Sequence, residues 1–216
     1  MKAKQFLVLG LGRFGTSVAR TLCELGQEVL AVDENEHLVE AIAPHVTQAI
    51  QLDATDEEAL ASLEVRSFDV AIVSIGQNTR DSILVSVLLK ELGVPYLVAK
   101  ANDELHAKVL RKIGVDRVVF PERDMGARIA RSLLTPNVLE LMELTGDYQI
   151  IEIRVPAKWV DNSIIDLNVR RRYGLNILAI LRGERFLVSP APDMLFEQGD
   201  TVLVMGRKDD IERLES

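Results

Sequence analysis

Three glycines near the start of the chain have the spacing of a phosphate-binding turn. Gly10, Gly12 and Gly15 form the pattern G-x-G-x-x-G directly after an apolar run and directly before a helical pattern. Glycines permit a tight turn and let backbone amides approach phosphate oxygens, and the N-terminus of the following helix adds positive potential. A purely structural turn has the same letters, but the strand before it and the helix after it favour a nucleotide site.

Two charged residues accompany this turn. Arg13 begins the helix, where the helix dipole disfavours a positive charge, so we favour a phosphate contact over a plain surface role. Asp33 follows Gly15 by 18 residues, at the end of the second apolar run. A carboxylate at this position accepts hydrogen bonds from ribose hydroxyls and repels a 2′-phosphate. Asp33 is also a suitable N-cap for the helix that begins near Glu34, and both roles stay open.

Polar residues also follow the third and fourth apolar runs. Asp53, Ala54 and Thr55 come after the third run, and residues 74–77 come after the fourth. The carboxyl ends of parallel strands meet at one edge of a sheet, where open α/β sheets bind ligands, so this edge has a place for an adenine base. For Asp53 and Thr55, an N-cap role is an equal alternative.

Short β-branched runs alternate with helical patterns over the first 120 residues. This alternation is typical of repeated βα units. Helical patterns end at Gly26, Gly93 and Gly114, where glycine adopts the left-handed conformation of a helix C-cap. The sequence therefore predicts an α/β fold, a Rossmann-like doubly wound parallel sheet, with strands at residues 5–9, 28–32, 47–52, 70–75, 96–100 and 117–120.

The hydrophobic period changes after Phe120, which predicts three regions: a nucleotide-binding domain at 1–121, a connector at 122–145, and a small α+β domain at 146–216. We expect the connector to be a helix, a break at Thr135, Pro136 and Asn137, and a second helical piece to about Leu144. The last region predicts strands at 148–155, 176–182, 185–188 and 201–205, and helices at 164–173 and 208–214. A unit of about 70 residues often buries its second face against a copy of itself, so we expect a dimer.

Composition limits the partners and the chemistry. The 216 residues carry 25 basic and 33 acidic side chains, a net charge of −8, which disfavours a nucleic-acid partner. No apolar run reaches the ~18 to 20 residues of a membrane span, and no export leader precedes the first strand, so we expect a cytosolic protein.

The residue pattern also contains no acid–base set of the kind that a dehydrogenase needs. A small NAD-dependent oxidoreductase is therefore the alternative, not the favoured, hypothesis.

Four segments together resemble a known family. They are Val-Leu-Gly-Leu-Gly-Arg-Phe-Gly at 8–15, Ala-Val-Asp at 31–33, Asp-Ala-Thr at 53–55 and Phe-Pro-Glu-Arg-Asp-Met-Gly at 120–126. The sequence resembles the cytosolic regulatory subunits of Ktr/Trk potassium uptake systems, and most closely the single-copy Ktr type. The resemblance implies an RCK nucleotide-binding domain and an RCK C-terminal domain, and a ligand-gated regulator that is not an enzyme. It also implies homodimers assembled into an octameric ring, at the inner face of the membrane beneath an ion-translocating subunit.

The resemblance further implies ligands and residue roles. ATP or ADP is the expected ligand, with NAD(H) as an alternative for the same pocket. Arg13 would contact the terminal phosphates, Asp33 the ribose, and Asp53 with Ala54 the adenine side. Glu122 resembles a carboxylate that helps to bind Mg²⁺ or another cation between neighbouring γ-phosphates, although a plain first-turn helix charge is its alternative. The remaining expected pocket residues are Phe14, Glu34, Asn35, Ile75, Gly76, Gln77, Lys100, Ala101, Asn102 and His106.

Some C-terminal domains of this family bind cyclic di-AMP at a dimer interface. The residues that fall where such a site would lie include apolar side chains for the base walls and one arginine for the phosphate. Core packing is the alternative role of the isoleucines, and both interpretations stay open. The residues are Ile164, Ile165, Asp166, Arg170, Asn176 and Pro192.

Overall fold

The computed structural model describes residues 3–76, 78–134, 138–145 and 147–214. The chain divides into two compact units, residues 1–123 and 124–216. No helix among these described residues is long and apolar enough to cross a membrane.

The first unit contains a six-stranded sheet in which every pairing between neighbouring strands is parallel. Its strands are β1 (Gln5–Leu9), β2 (Glu28–Asp33), β3 (Gln48–Gln51), β4 (Val70–Val73), β5 (Leu97–Lys100) and β6 (Arg117–Val119). The spatial order is β3-β2-β1-β4-β5-β6. The direction of winding therefore reverses between β1 and β4, and this reversal opens a crevice at the carboxyl edge of the sheet. The predicted Rossmann-like doubly wound sheet is confirmed.

Helices cover both faces of this sheet, which explains why its strands are apolar on successive residues. Leu7 and Leu9 of β1 pack into one cluster, and Val8 between them packs into another; all three are fully buried. The helices are α1 (Arg13–Glu24), α2 (Glu36–Ile42), α3 (Glu57–Ala61), α4 (Thr79–Glu91) and α5 (Glu104–Ile113). Helix α6 (Pro121–Leu134) begins at a proline, a residue suited to the first helical position.

The second half of the predicted connector is a strand, not a helix. Strand β7 (Val138–Thr145) pairs antiparallel with β8 (Tyr148–Arg154), and Leu141 lies opposite Ile151. Leucine, glutamate and methionine have high helix propensity, so the local sequence favours a helix. Pairing with a neighbouring strand satisfies the same backbone groups and overrides that weak preference. The predicted break at Thr135, Pro136 and Asn137 lies outside the described residues.

The second unit contains a five-stranded antiparallel sheet of order β10-β9-β11-β8-β7, with β9 (Asn176–Arg182), β10 (Arg185–Val188) and β11 (Thr201–Arg207). The fully buried Trp159 and Phe196 pack with tilted rings at a centroid distance of 5.4 Å in its core. The single predicted helix at 164–173 is two short helices, α7 (Ile164–Leu167) and α8 (Val169–Tyr173), followed later by α9 (Lys208–Leu214). Asn168 separates α7 from α8 because its φ of 46° is left-handed. The predicted small α+β domain is confirmed.

An ion pair between a half-buried arginine and a buried carboxylate holds β9 to the turn before β11. Arg182 donates from Nε to Oδ1 of Asp200 at 2.9 Å and from Nη2 to Oδ2 at 2.8 Å. The Asp200 side chain is 2% exposed. Burial alone would raise the pKa of Asp200, but hydrogen bonds from Arg182 and from the Glu197 N–H, with the Arg182 charge, outweigh burial and lower that pKa.

Candidate functional site

The glycine turn between β1 and α1 is built by close backbone contacts. Gly10 has a φ of +92°, and its N–H donates to the Val32 carbonyl at 2.9 Å. A Cβ on Gly15 would lie 1.9 Å from the Gly10 carbonyl oxygen, so no side chain fits there. A Cβ on Gly12, in contrast, would have no neighbour within 4 Å. Two of the glycines are therefore required by packing, whereas Gly12 leaves room above the turn for a ligand.

The Asp33 carboxylate ties the end of β2 to this turn. Its Oδ2 accepts from the Leu11 N–H at 2.6 Å, and its Oδ1 accepts from the Asn35 N–H at 2.9 Å. The N-cap of α2 is Asn35, whose side chain accepts from the His37 N–H at 3.0 Å. The N-cap role predicted as an alternative for Asp33 is therefore wrong. A carboxylate has further lone pairs, so Asp33 retains capacity to accept from ribose hydroxyls.

Asp53 forms a closed turn after β3. Its Oδ1 accepts from the Thr55 N–H at 2.8 Å and from the Thr55 hydroxyl at 2.7 Å, and these two bonds lower the pKa of Asp53. The cap of α3 is Asp56, which accepts from the Glu58 N–H at 3.0 Å. The alternative N-cap roles predicted for Asp53 and Thr55 are therefore also wrong.

A cavity of about 480 Å³ lies at the carboxyl ends of β1 to β4. This volume is in the usual range of small-molecule sites, ~300 to 1,000 Å³. Predicted residues that line it are Gly10, Gly12, Asp33, Glu34, Asn35, Asp53, Ala54, Ile75 and Gly76. It is also lined by Val32, Leu38, Leu52, Thr55, Ser74, Asn78 and Asp81.

Leu38, Asn78 and Asp81 were missed by sequence reasoning. Asn78 carried a usable signal, because it is an N-cap residue directly before a helical pattern at the predicted ligand edge. In the structure its side chain accepts from the Arg80 N–H at 3.0 Å and caps α4. Leu38 lies on α2, where sequence periodicity alone does not distinguish a cavity wall from ordinary helix packing.

Several other predicted residues gather beside Gly76 but do not line this cavity. Asn102 donates from its side-chain amide to the Gly76 carbonyl at 2.7 Å. Lys100 forms an ion pair with Glu122, with 2.5 Å between Nζ and Oε1. A Cβ on Gly76 would lie 3.3 Å from the Lys100 Nζ, so this pair approaches the same loop. His106 is 2% exposed, and its Nδ1 accepts from the Asn102 N–H at 3.3 Å.

The charges of this group are coupled to the glycine turn. The hydrogen bond from Lys100 lowers the pKa of Glu122, and the positive charge of Arg13 adds to that effect. Burial lowers the pKa of His106, and the Asp103 carboxylate opposes that change. Arg13 itself is exposed at the start of α1. The arrangement therefore places two cations and one carboxylate next to the predicted phosphate position.

Four predictions have other placements. Gln77 lies outside the described residues. Phe14 lies on α1 and is half-buried, and Ala101 is buried in the core at the end of β5. Among the described residues, no group of three or more His, Cys, Asp or Glu side chains is arranged to hold a metal ion. Glu122 is therefore not part of a metal-binding cluster of this kind within the described residues, and a cation there would need further ligands.

In the second unit, part of the predicted cyclic di-AMP set lies together. The Ile165 N–H donates to the Pro192 carbonyl at 2.8 Å, and the Ile165 side chain is 64% exposed. Asp166 forms a hydrogen bond with the Ser163 hydroxyl at 2.5 Å. Arg170 is exposed on α8. The other two residues of the set are Ile164, half-buried at the start of α7, and Asn176, half-buried at the start of β9.

Comparison with known proteins agrees with this two-unit architecture. Residues 6–121 match the TrkA-N domain family, and residues 149–216 match the TrkA-C domain family. Ktr system potassium uptake protein A of Bacillus subtilis is 47% identical over 216 residues, covering 100% of this chain and 97% of that relative.

Two solved structures show the same fold at 19% identity. The GsuK channel bound to NAD has a TM-score of 0.65 and covers 99% of this chain and 39% of its own. GsuK bound to ADP has a TM-score of 0.54 and covers 63% of this chain and 36% of its own. Because both domain families match in order and a full-length Ktr relative is nearly half identical, the chain belongs to the TrkA (RCK) family, among the regulatory subunits of Ktr potassium uptake systems rather than among enzymes.

Proposed function

We propose that this chain is a nucleotide-gated regulator of potassium flux, in which ATP or ADP occupies the cavity of about 480 Å³ at the glycine turn. The observation that carries the proposal is that Asp33 lies directly beside the glycine turn, where its carboxylate accepts from the N–H of Leu11, the neighbour of Gly12. Gly12 leaves open space above amides at a helix N-terminus, and Asp33 fixes the adjacent strand end. This is the geometry that binds an adenosine diphosphate body without a 2′-phosphate.

The nucleotide lies along the cavity in one direction. The diphosphate lies over Gly12, the ribose lies against Asp33, and the adenine lies towards Asp53 and Ala54, all of which line the same cavity. NAD(H) contains the same adenosine diphosphate body, and structures of the related fold are described with NAD and with ADP. NAD(H) is therefore a competing ligand for the site, and the choice between them requires a direct measurement.

Gating requires a contact that one nucleotide makes and the other lacks, because a ligand shifts an equilibrium only by its differential affinity for the two states. In this proposal the γ-phosphate of ATP reaches Arg13, and ADP does not. The Lys100–Glu122 pair lies beside Gly76, within range of the Arg13 charge, and Glu122 contributes one ligand to Mg²⁺ or another cation shared with a neighbouring subunit. Without a cation, two triphosphates brought close together repel each other strongly.

The assembly belongs to the same proposal. Homodimers form an octameric ring on the cytosolic face of the membrane, beneath a separate potassium-translocating subunit. The ring changes shape between its ATP and ADP forms, and the change controls ion flow. The full-length similarity to a Ktr system protein supports this arrangement.

Isothermal titration of the purified chain with ATP, ADP, NADH and NADPH, with and without Mg²⁺, tests the ligand. Light scattering of each complex then tests the gating. We expect ATP and ADP to bind with comparable affinity, NADPH to bind weakest, and one large oligomer to differ in hydrodynamic radius between ATP and ADP. Binding of NADH alone, to a plain dimer, would contradict the proposal.

We propose cyclic di-AMP as a second ligand, at the C-terminal unit. The supporting observation is the exposed Ile165 side chain held next to Pro192 by a backbone hydrogen bond of 2.8 Å, which offers an apolar wall for a purine. Arg170 supplies the charge for a phosphate. Titration with cyclic di-AMP should show binding that Arg170→Ala weakens about tenfold. Arg171→Ala, at the next exposed arginine of α8, is the matched control, and equal effects of the two variants would contradict this site.

A further inference from the structure

Ser74 is the first residue after β4, and its backbone is held firmly in place. Its N–H donates to the Leu9 carbonyl at 2.7 Å, which continues the pairing of β4 with β1. The residue is 6% exposed. Within the part of the chain that the structure describes, its hydroxyl oxygen has no hydrogen-bond partner.

The Ser74 hydroxyl lies beneath the phosphate turn. Its Oγ is 3.0 Å from the position that a Cβ on Gly15 would take, and the Ser74 carbonyl carbon is 3.0 Å from the position of a Cβ on Gly10. The residue also lines the cavity of about 480 Å³. A buried donor therefore lies between the first and third glycines of the turn, next to the backbone of the proposed phosphate site.

An unpaired buried hydroxyl is unfavourable, because it loses its hydrogen bonds to water and gains none in return. Three other buried side-chain atoms in the described residues also lack partners: Ser82 Oγ, His106 Nε2 and Trp159 Nε1. Of these four residues, Ser74 is the one that lines the cavity. A hydroxyl that is costly without ligand and lies at a ligand site is best explained by a partner that arrives with the ligand.

We propose that the Ser74 hydroxyl is a nucleotide-binding donor, which completes its hydrogen bonding on a diphosphate oxygen of the bound nucleotide, directly or through one buried water. The proposal rests on the proposed function, because it assumes that a nucleotide occupies this cavity. A serine side chain has three staggered χ1 positions, and its hydroxyl hydrogen can be directed at any acceptor within reach. Ser74 thereby adds a side-chain donor at the diphosphate, where the other proposed donors are backbone amides of the glycine turn.

The test compares two buried serines that both lack partners. Ser74→Ala and Ser82→Ala each remove one unpaired buried hydroxyl, so neither variant should lower the melting temperature of the ligand-free chain. Titration with ADP should then separate them. We expect Ser74→Ala to weaken ADP binding about tenfold, and Ser82→Ala to leave it within twofold of the unmodified chain. Ser74→Cys, which replaces the hydroxyl with a somewhat larger thiol that is only a weak donor, should give an intermediate affinity.

Three results would overturn the proposal. ADP affinity within twofold of the unmodified chain in Ser74→Ala would show that the hydroxyl makes no contact with the ligand. An equal loss in Ser82→Ala would show a general structural effect. If Ser74→Ala fails to fold, full ADP affinity in Ser74→Cys would overturn it. Absence of ADP binding in the unmodified chain is a different outcome, because it removes the proposed function itself along with this inference.

Discussion

At the scale of single residues, the site depends on side chains that hold the backbone as well as on those that face a ligand. Asp33 joins two segments that are 22 residues apart, through Leu11, and also fixes the start of the next loop through Asn35. A residue that combines these roles affects stability and binding together. Separating the two effects requires a neighbour that lines the same cavity without tying the backbone.

We predict that Asp33→Ala lowers the free energy of unfolding by about 1 to 3 kcal/mol, because the partly buried bond from the Leu11 N–H and the exposed bond from the Asn35 N–H both lose their acceptor. Glu34 lines the same cavity and is exposed, so Glu34→Ala should change the free energy of unfolding by no more than about 0.5 kcal/mol. Urea unfolding followed by circular dichroism measures both. Equal values for the two variants would show that the Asp33 bonds contribute nothing to the fold.

Arg13→Ala tests the contact that distinguishes the two nucleotides. We expect ATP affinity to fall about tenfold and ADP affinity to stay within about twofold, because in the proposed binding mode only the γ-phosphate reaches the guanidinium. Arg20 lies seven residues later on the same helix, ~10 Å further along its axis, and Arg20→Ala is the matched control. Titration calorimetry gives both affinities. A parallel loss of ATP and ADP binding would place Arg13 on the diphosphate instead.

At the scale of elements, the β1–turn–α1 unit separates packing from binding. Gly15→Ala places a Cβ 1.9 Å from the Gly10 carbonyl, so we expect it to destabilise the fold by at least ~2 kcal/mol. Gly12→Ala meets open space, so it should leave the melting temperature nearly unchanged but weaken ADP binding, because the methyl group occupies the phosphate position. Thermal unfolding and ADP titration of both variants distinguish the packing role of Gly15 from the binding role of Gly12. Unimpaired ADP binding by Gly12→Ala would place the diphosphate elsewhere.

The parallel sheet was predictable from sequence because its strands are short runs between loop residues, and those of β1, β2 and β4 are apolar and mostly buried. Strands β1, β9 and β10 have the predicted bounds. Strand β7 was not predictable in this way, since its leucines and glutamates favour a helix until β8 supplies a pairing edge. The division of the helix at 164–173 depends on one left-handed asparagine, Asn168, which leaves hydrophobic periodicity almost unchanged.

For the site, the glycine spacing and the position of Asp33 were visible in the sequence. The partners of Asp33 and Asp53 were not, because Asn35 and Asp56 are equally good caps a few residues away and local pattern does not rank them. The Ser74 hydroxyl is unpaired because of how β4 packs against β1 and the glycine turn, and these contacts are not visible in the sequence. Sequence therefore indicates the class of ligand, and only the fold shows which polar atoms are still available to bind it.

At the scale of the whole molecule, the two units can be perturbed separately. The Arg182–Asp200 pair lies within residues 124–216, and the single tryptophan of the chain, Trp159, is fully buried in the same unit. We predict that Asp200→Asn destabilises this unit by about 2 kcal/mol, because it removes the buried charge that accepts two hydrogen bonds from Arg182 and leaves only the exposed Glu197 carboxylate as its charged partner. Urea unfolding followed by Trp159 fluorescence measures the loss. Glu197→Gln is the control, since Glu197 contacts the same arginine but is 59% exposed, and it should cost under about 1 kcal/mol.

Acid should destabilise the two units at different pH. The pKa of His106 is lower in the folded chain than in the unfolded one, so the unfolded state takes up its proton first. The stability that neutral His106 contributes to residues 1–123 is therefore present above about pH 6.5 and is lost as the pH falls towards the folded pKa. The pKa of Asp200 is also lowered in the folded chain, but its ordinary value is already acidic. Its contribution to residues 124–216 is present above about pH 4 and is lost only below it.

Pulse proteolysis in urea with mass spectrometry of the first unit, and Trp159 fluorescence for the second, can follow both units from pH 7 to pH 3. Between pH 7 and pH 5 we expect the first unit alone to lose stability. His106→Asn retains a side-chain acceptor near the Asn102 N–H but does not titrate, so it should abolish that loss. The stability difference between the unmodified chain and Asp200→Asn should shrink only below about pH 4. If both units lose stability between pH 7 and pH 5 and His106→Asn does not change this, the buried imidazole does not determine the pH dependence of the first unit.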